Sequence, residues 1–164
     1  MELTSAELST IRELEQLKYA YARCLDQKRW DELGQLFTED AHASYGGGAY
    51  VFDGREAIMG FLVRNMDRPG FLSSHRMHHP EIALVSETEA TGRWALDDHN
   101  IDTDFQIEVQ GAAFYEDTYV KVDGRWLIAT TGYRRSFETL TPLGDTKVTA
   151  AWWGTDGKSI LPAA

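Results

Sequence analysis

Residues 73–80 read Ser-Ser-His-Arg-Met-His-His-Pro and hold three of the chain's five histidines. Histidine is the side chain whose ordinary pKa, ~6.5, best suits proton transfer near neutral pH, which makes this cluster a candidate general base for a carbon acid. In an extended segment His75, Met77 and His79 share one side and Arg76 and His78 the other, so alternation does not choose among the histidines. Zinc binding is disfavoured, because no Cys, Asp or Glu lies at ligand spacing and His78 and His79 point oppositely. The plain alternative for each is a hydrogen-bonded structural histidine.

Carboxylates and a phenol come next. In the extended stretch from Arg93 to Asn100, Asp98 shares a face with Trp94 and Leu96, whereas Asp97 shares one with Arg93 and His99. A carboxylate on an apolar face must be paired or hydrogen-bonded, so Asp98 is either an acid–base group or a salt-bridged structural aspartate. Tyr21 has its ring on the buried stripe of a helix, and only its hydroxyl seeks a partner. Asp26 falls near that helix's C-terminus, where the dipole disfavours an anion; it either serves a pocket or hydrogen-bonds the turn leading to Trp30. Gly111, Ala112 and Ala113 leave room above a strand or let it bend. Of Arg134 and Arg135, one must point inward if alternation holds. No phosphate loop, serine elbow, cysteine dyad or metal motif is present, which disfavours covalent and metal catalysis.

The elements that must position these residues follow from periodicity. Leu8, Ile11, Leu14, Leu17, Tyr21 and Leu25 recur at spacings of three and four and predict a first helix. A second helix is predicted over Trp30–Phe37, ending near Thr38 to Asp40, with acidic residues in its first turn. Residues 43–45 and 49–52 flank three glycines and predict a hairpin; Arg55–Met66 predicts a third helix, and 67–74 a loop. Strands are expected at about 74–86, 89–101, 105–121 and 125–137, the last two joined at Val122–Arg125. The order argues for an antiparallel α+β domain over 1–138. A tail over 139–164, with adjacent tryptophans Trp152 and Trp153, needs a surface to lie on, either this domain or a neighbouring subunit.

At 164 residues, 43% apolar and 12% aromatic, the chain can bury a core as one domain. One cysteine, Cys24, forbids an intrachain disulfide, and the N-terminus lacks a signal peptide's pattern, so a cytoplasmic setting is expected. No run approaches the ~18 apolar residues of a membrane span. A net charge of −10, from 16 basic against 26 acidic residues, argues against nucleic acid and anionic membrane as partners.

The order helix, helix, hairpin, helix, long curved sheet resembles the NTF2-like superfamily, in particular the SnoaL-like branch. Tyr21-Ala-Arg-Cys-Leu-Asp26, Trp30-Asp-Glu-Leu33, Pro80-Glu-Ile82, Ser86-Glu-Thr88, Ala90-Thr-Gly-Arg-Trp94, Ala113-Phe-Tyr115 and Gly132-Tyr133 with Arg135 are similar to blocks of the bile acid 7α-dehydratases. The resemblance implies a cone of three N-terminal helices on a strongly curved antiparallel sheet. It also implies a site made of Tyr21, Asp26, His75, Asp98 and Arg135, with His78 as a possible second histidine.

On that resemblance the expected activity is a cofactor-independent dehydratase acting on a hydroxylated, ketone-bearing polycyclic or steroid-like substrate. His75 is expected to take a proton, Asp98 to orient His75, Tyr21 to donate to the substrate oxygen, and Asp26, His78 and Arg135 to bind and tune. A ketosteroid-type isomerase would use the same residues. A non-catalytic small-molecule-binding protein would leave His75 and Asp98 out of contact. The resemblance further implies a homodimer or homotrimer and an apolar small-molecule substrate as partner.

Overall fold

Thr4 starts the first helix, α1 (Ser5–Asp26), with a capping box: its hydroxyl accepts from the Glu7 amide while the Glu7 carboxylate accepts from the Thr4 amide. The computed structural model describes residues 2–161, the Trp153 and Gly154 side chains apart. The part of the tail expectation that rests on Trp153 therefore lies outside the described residues. The buried stripe of α1 runs through Leu14, Leu17, Tyr21 and Leu25, but Leu8 is exposed, so the helix projects one turn or more beyond the core.

The second helix, α2 (Trp30–Gly34), is shorter than its sequence suggests, because Leu36 and Phe37 are taken by the sheet. Phe37 is fully buried at the start of β1 (Phe37–Tyr45), and the Ile128 amide donates to the Leu36 carbonyl, fixing a parallel pairing. Sheet pairing and core burial here outweigh the local helical pattern. The three glycines form a turn, with Gly47 at φ 68°, that leads into β2 (Tyr50–Asp53). The third helix, α3, spans Arg55–Met66 as its pattern predicts.

Four long strands follow: β3 (Phe71–Leu84), β4 (Glu89–Asp102), β5 (Ile107–Val122) and β6 (Arg125–Pro142). The expected loop over 67–74 is thus confined to 67–70. The β5–β6 hairpin turns at Asp123 and Gly124, both at positive φ, as a tight two-residue connection requires. The sheet order is β2-β1-β6-β5-β4-β3, antiparallel except for β1 against β6, and β3 is an open edge. The helices pack on one face of this α+β sheet over a core that includes Trp94, Leu96, Tyr115, Tyr119 and Ile128. No helix among the described residues is long and apolar enough to cross a membrane.

Two irregularities aim side chains. In β6 one extra residue, Ser136, separates the partners of Ala112 and Ala113, so Phe137 and Arg135 fall on opposite faces in a way strict pairing would not give. In β3 a bulge between His78 and Glu81 carries His79 at φ 48°. Beyond Pro142 the tail runs past the β4 and β5 ends to a short helix, α4 (Trp152–Thr155).

Candidate active site

Asp26 is the last residue of α1, and the edge strand β3 brings donors to it. Its Oδ1 accepts from the Ser73 hydroxyl at 2.9 Å and lies 2.6 Å from His75 Nδ1, while Oδ2 accepts from the His75 amide at 2.8 Å. Three donors offset the unfavourable end of the helix dipole. They also use an amide that an edge strand would otherwise leave unpaired. A carboxylate can only accept, so Nδ1 of His75 carries a proton, and in the neutral imidazole the lone pair is on Nε2. The His75 side chain is 11% exposed and that of Asp26 25%, so the pair sits in a partly dry setting that solute can still reach.

Asp98 is the direct cross-strand partner of His75, yet it is not the carboxylate that holds the imidazole. This corrects the expectation that Asp98 orients His75. Asp98 is engaged by Arg135 instead, through Nη1 to Oδ1 and Nη2 to Oδ2 at 2.9 Å, and Oδ2 also accepts from Asn100 Nδ2 at 2.9 Å. The planar guanidinium matches the carboxylate at two points and is always charged, an advantage a single imidazole lacks. With its side chain 3% exposed, Asp98 needs that compensation. Burial works against the charge of Arg135, but Asp98 outweighs it and holds the guanidinium above the ordinary arginine value. Arg135 Nε also faces Glu138 Oε2 at 3.0 Å, and the guanidinium stands 5.0 Å over the Tyr133 ring. A second extra residue of β6, Ala129, between the partners of Thr118 and Tyr119, settles which arginine turns inward: past it the inner face passes from Trp126 and Ile128 to Thr131, Tyr133 and Arg135, so Arg135 is half-buried and Arg134 exposed.

Tyr21 is buried, and its hydroxyl lies 3.4 Å from those of both Tyr45 and Tyr115. Burial first, and the neighbouring Tyr115 second, push its phenol well above the ordinary tyrosine value, so it is a neutral donor. Its hydrogen bonds go to neither His75 nor Asp98. Tyr133 links the two groups, packing on Tyr45 and Tyr115 and lying under Arg135. His78, expected among the substrate-binding residues, is exposed on the opposite face. Strand alternation turns His75 and Met77 toward the helices and Arg76 and His78 away from them.

Several residues of this face were not singled out from sequence. Lys18 is fully buried, with Nζ 2.7 Å from Asp117 and 3.6 Å from the Tyr115 ring centre. Burial lowers its pKa and Asp117 opposes the shift. Asp117 also accepts from the hydroxyls of Tyr119 and Thr131, each at 2.7 Å. The signal was present: Lys18 follows Leu14 by four and precedes Tyr21 by three, and Asp117 has the parity of Ala113 and Tyr115. A cavity of about 400 Å³ lies beside the Asp26–Ser73 contact, walled by Leu72, Ile101 and the tail from Thr146 to Trp152. Among the described residues no three His, Cys, Asp or Glu side chains come together as metal ligands.

A sequence model of the SnoaL-like domain matches residues 6–132. The chain belongs to the SnoaL-like domain family. A provisionally named scytalone dehydratase from Novosphingobium aromaticivorans is similar over 91% of this chain and 95% of its own, with 30% identity and a TM-score of 0.75. A hexachlorocyclohexane dehydrochlorinase from Novosphingobium barchaimii shares the fold, at 20% identity, 86% and 94% coverage and a TM-score of 0.72. An uncharacterised Mycobacterium tuberculosis protein is 42% identical over 43 residues, which are 26% of this chain and 29% of that relative's length. The SnoaL-like, NTF2-like cone implied by the sequence blocks is the fold of this chain.

Proposed function

We propose that the protein is a dehydratase in which His75, held by Asp26, removes a proton from the carbon beside a ketone while a β-hydroxyl leaves as water. The observation that carries this reading is the two-point grip of Asp26 on His75. It fixes the tautomer, aims the ring, and places a negative charge where an imidazolium develops. His75 and Asp98 share no hydrogen bond, as a non-catalytic binding protein would have it, but the imidazole has its carboxylate all the same, from Asp26.

In the proposed reaction Nε2 of His75 takes the proton as the C–H bond breaks and the carbon–carbon double bond forms. The hydroxyl departs with a proton returned from the imidazolium, so one water leaves and the base is regenerated. Tyr21, backed by the Tyr45 and Tyr115 hydroxyls, is the donor to the ketone oxygen on which charge builds. Arg135, neutralised by Asp98, contributes an orienting dipole more than a free positive charge. General-base and oxyanion donors of this kind each typically supply about 10²–10⁴-fold.

Support for a flat, apolar substrate comes from rings stacked on Tyr45: Phe61 lies 4.5 Å from Phe52, 5.4 Å from Tyr50 and 6.0 Å from Tyr45, centre to centre. The 30%-identical relative provisionally named a scytalone dehydratase, and the similarity to bile acid dehydratase blocks, point toward dehydration. The test is turnover of hydroxy-keto steroids and aromatic hydroxy-ketones, followed by mass spectrometry. Loss of one water, abolished in His75→Ala, supports the reading. A product of unchanged mass makes the protein an isomerase, and binding without turnover across the panel overturns catalysis.

A further inference from the structure

Two neighbouring rungs of the β3–β4 ladder lie side by side on the helix-facing side: His75 opposite Asp98, and Ser73 opposite Asn100. The first rung carries the ionisable groups. The second is neutral, and each of its members donates to a carboxylate, Ser73 to Asp26 Oδ1 at 2.9 Å and Asn100 to Asp98 Oδ2 at 2.9 Å. We infer that Ser73 and Asn100 are a pair of positioning residues that assign the two carboxylates of the site to different partners, Asp26 to His75 and Asp98 to Arg135.

Cross-strand neighbours stand close enough for their side chains to meet, so Asp98 is by position a natural rival of Asp26 for the imidazole. A second carboxylate at His75 would offer its ring nitrogens two acceptors and tie up the one that must meet substrate. Arg135 holds both oxygens of Asp98, and Asn100 prevents this by adding a second donor to Oδ2, so that neither oxygen is left to accept from the imidazole. Ser73 does the same for Asp26. It shares Oδ1 with His75 Nδ1, which fixes the rotation of the carboxylate and withdraws part of its charge from the imidazole. The serine edges the cavity under the tail. Neither residue touches the reacting atoms in this arrangement.

This inference rests on the dehydratase reading for its kinetic part only, and its decisive readout needs no substrate. The proton on His75 Nδ1 is observed as a far-downfield proton resonance of the whole protein, assigned by its loss in His75→Gln. In Ser73→Ala, Oδ1 of Asp26 keeps the imidazole as its one side-chain donor, and the resonance moves further downfield. Asn100→Ala shifts the same resonance, because Oδ2 of Asp98, left with Arg135 Nη2 as its one donor, bears more charge across the ladder from the ring. Ser73→Thr restores the wild-type position. Ser73→Cys, which keeps the volume with a weaker donor, gives an intermediate shift and serves if the alanine variant folds poorly. On a substrate the wild type turns over, each alanine variant lowers kcat about tenfold with KM nearly unchanged, the worth of one hydrogen bond to a charged group. Resonances at the wild-type position in folded variants overturn the inference, and so does a shift in only one of the two. Absence of any turnover, with both resonances shifted, instead removes the dehydratase reading and leaves the assignment of carboxylates standing.

Discussion

His75 and Asp98 face each other across β3 and β4, yet each is bound to something else: His75 to Asp26, the last residue of α1, and Asp98 to Arg135, two strands later in β6. The site is therefore two carboxylate-centred units side by side, and removing their carboxylates has different consequences. Asp26→Asn keeps the shape of the contact but loses the charge that stabilises an imidazolium. A drop in kcat on the order of 10²-fold is expected with the fold intact, a typical worth for general-base assistance. Asp98→Asn is expected to cost less in kcat and more in stability, since it leaves the half-buried Arg135 with only the exposed Glu138 as counter-charge. Steady-state kinetics and urea melts on both variants check this. Equal kinetic losses would reject the division of labour.

The fold and much of the site were legible in the sequence for definite reasons. Tyr21 and Asp98 are set by helical and strand parity, and α3 and the β5–β6 turn by patterns that no tertiary contact overrides. Parity could not choose among the histidines, because alternation only groups them; the family blocks selected His75, and the structure turns it inward and His78 outward. The partner of His75 was illegible because it is not on the neighbouring strand. Asp26 reaches the edge of β3 only through the packing of α1, a contact 49 residues apart in sequence. The role of Arg135 depends on one bulged residue, Ala129, and α2 stops early because Phe37 is drawn into the sheet.

The Lys18–Asp117 pair, buried on both sides, is predicted to behave as a coupled unit. Lys18→Met leaves the Asp117 carboxylate with only the Tyr119 and Thr131 hydroxyls, and a loss of ~3–5 kcal/mol is expected, typical for a buried charge stripped of its partner. Asp117→Asn alone strands the ammonium. The double variant Lys18→Met with Asp117→Asn should then be more stable than the sum of the singles implies, by more than ~1 kcal/mol. Additive losses in a double-mutant cycle from urea melts would show that the pair has no mutual energy.

Gly111 permits the Arg135–Asp98 contact by what it lacks. A Cβ there would lie 2.7 Å from the Phe137 carbonyl oxygen and 3.0 Å from Arg135 Nη1. Gly111→Ala is expected to destabilise by about 1–3 kcal/mol, as overpacking does, and to push the guanidinium off Asp98. A crystal structure of the variant with Arg135 still bidentate on Asp98 would contradict this.

Lys28, just past α1, makes stability depend on pH in a predictable direction. It has φ 53° and donates from Nζ to the Arg68 carbonyl, and burial pushes its amine down to about 8 from 10.5, with Asp67 opposing. Its folded value is below its unfolded one, so between about 8 and 10.5 the unfolded chain binds more protons. Stability from this group rises with pH across that window, because deprotonation relieves a cost that is present in full below 8. Lys18, lowered by burial, has the same sign. Buried tyrosines act oppositely: Tyr21, Tyr45 and Tyr115 are raised by burial, so above their ordinary value of 10.0 the unfolded chain loses protons that the folded one keeps. The lysine contribution is isolated by comparison with Lys28→Met, which also removes the hydrogen bond to Arg68 but does so at every pH. In urea melts across the window, the wild type is expected to gain stability relative to Lys28→Met as pH rises. A difference that does not change with pH would mean that the Lys28 amine carries its charge equally in both states.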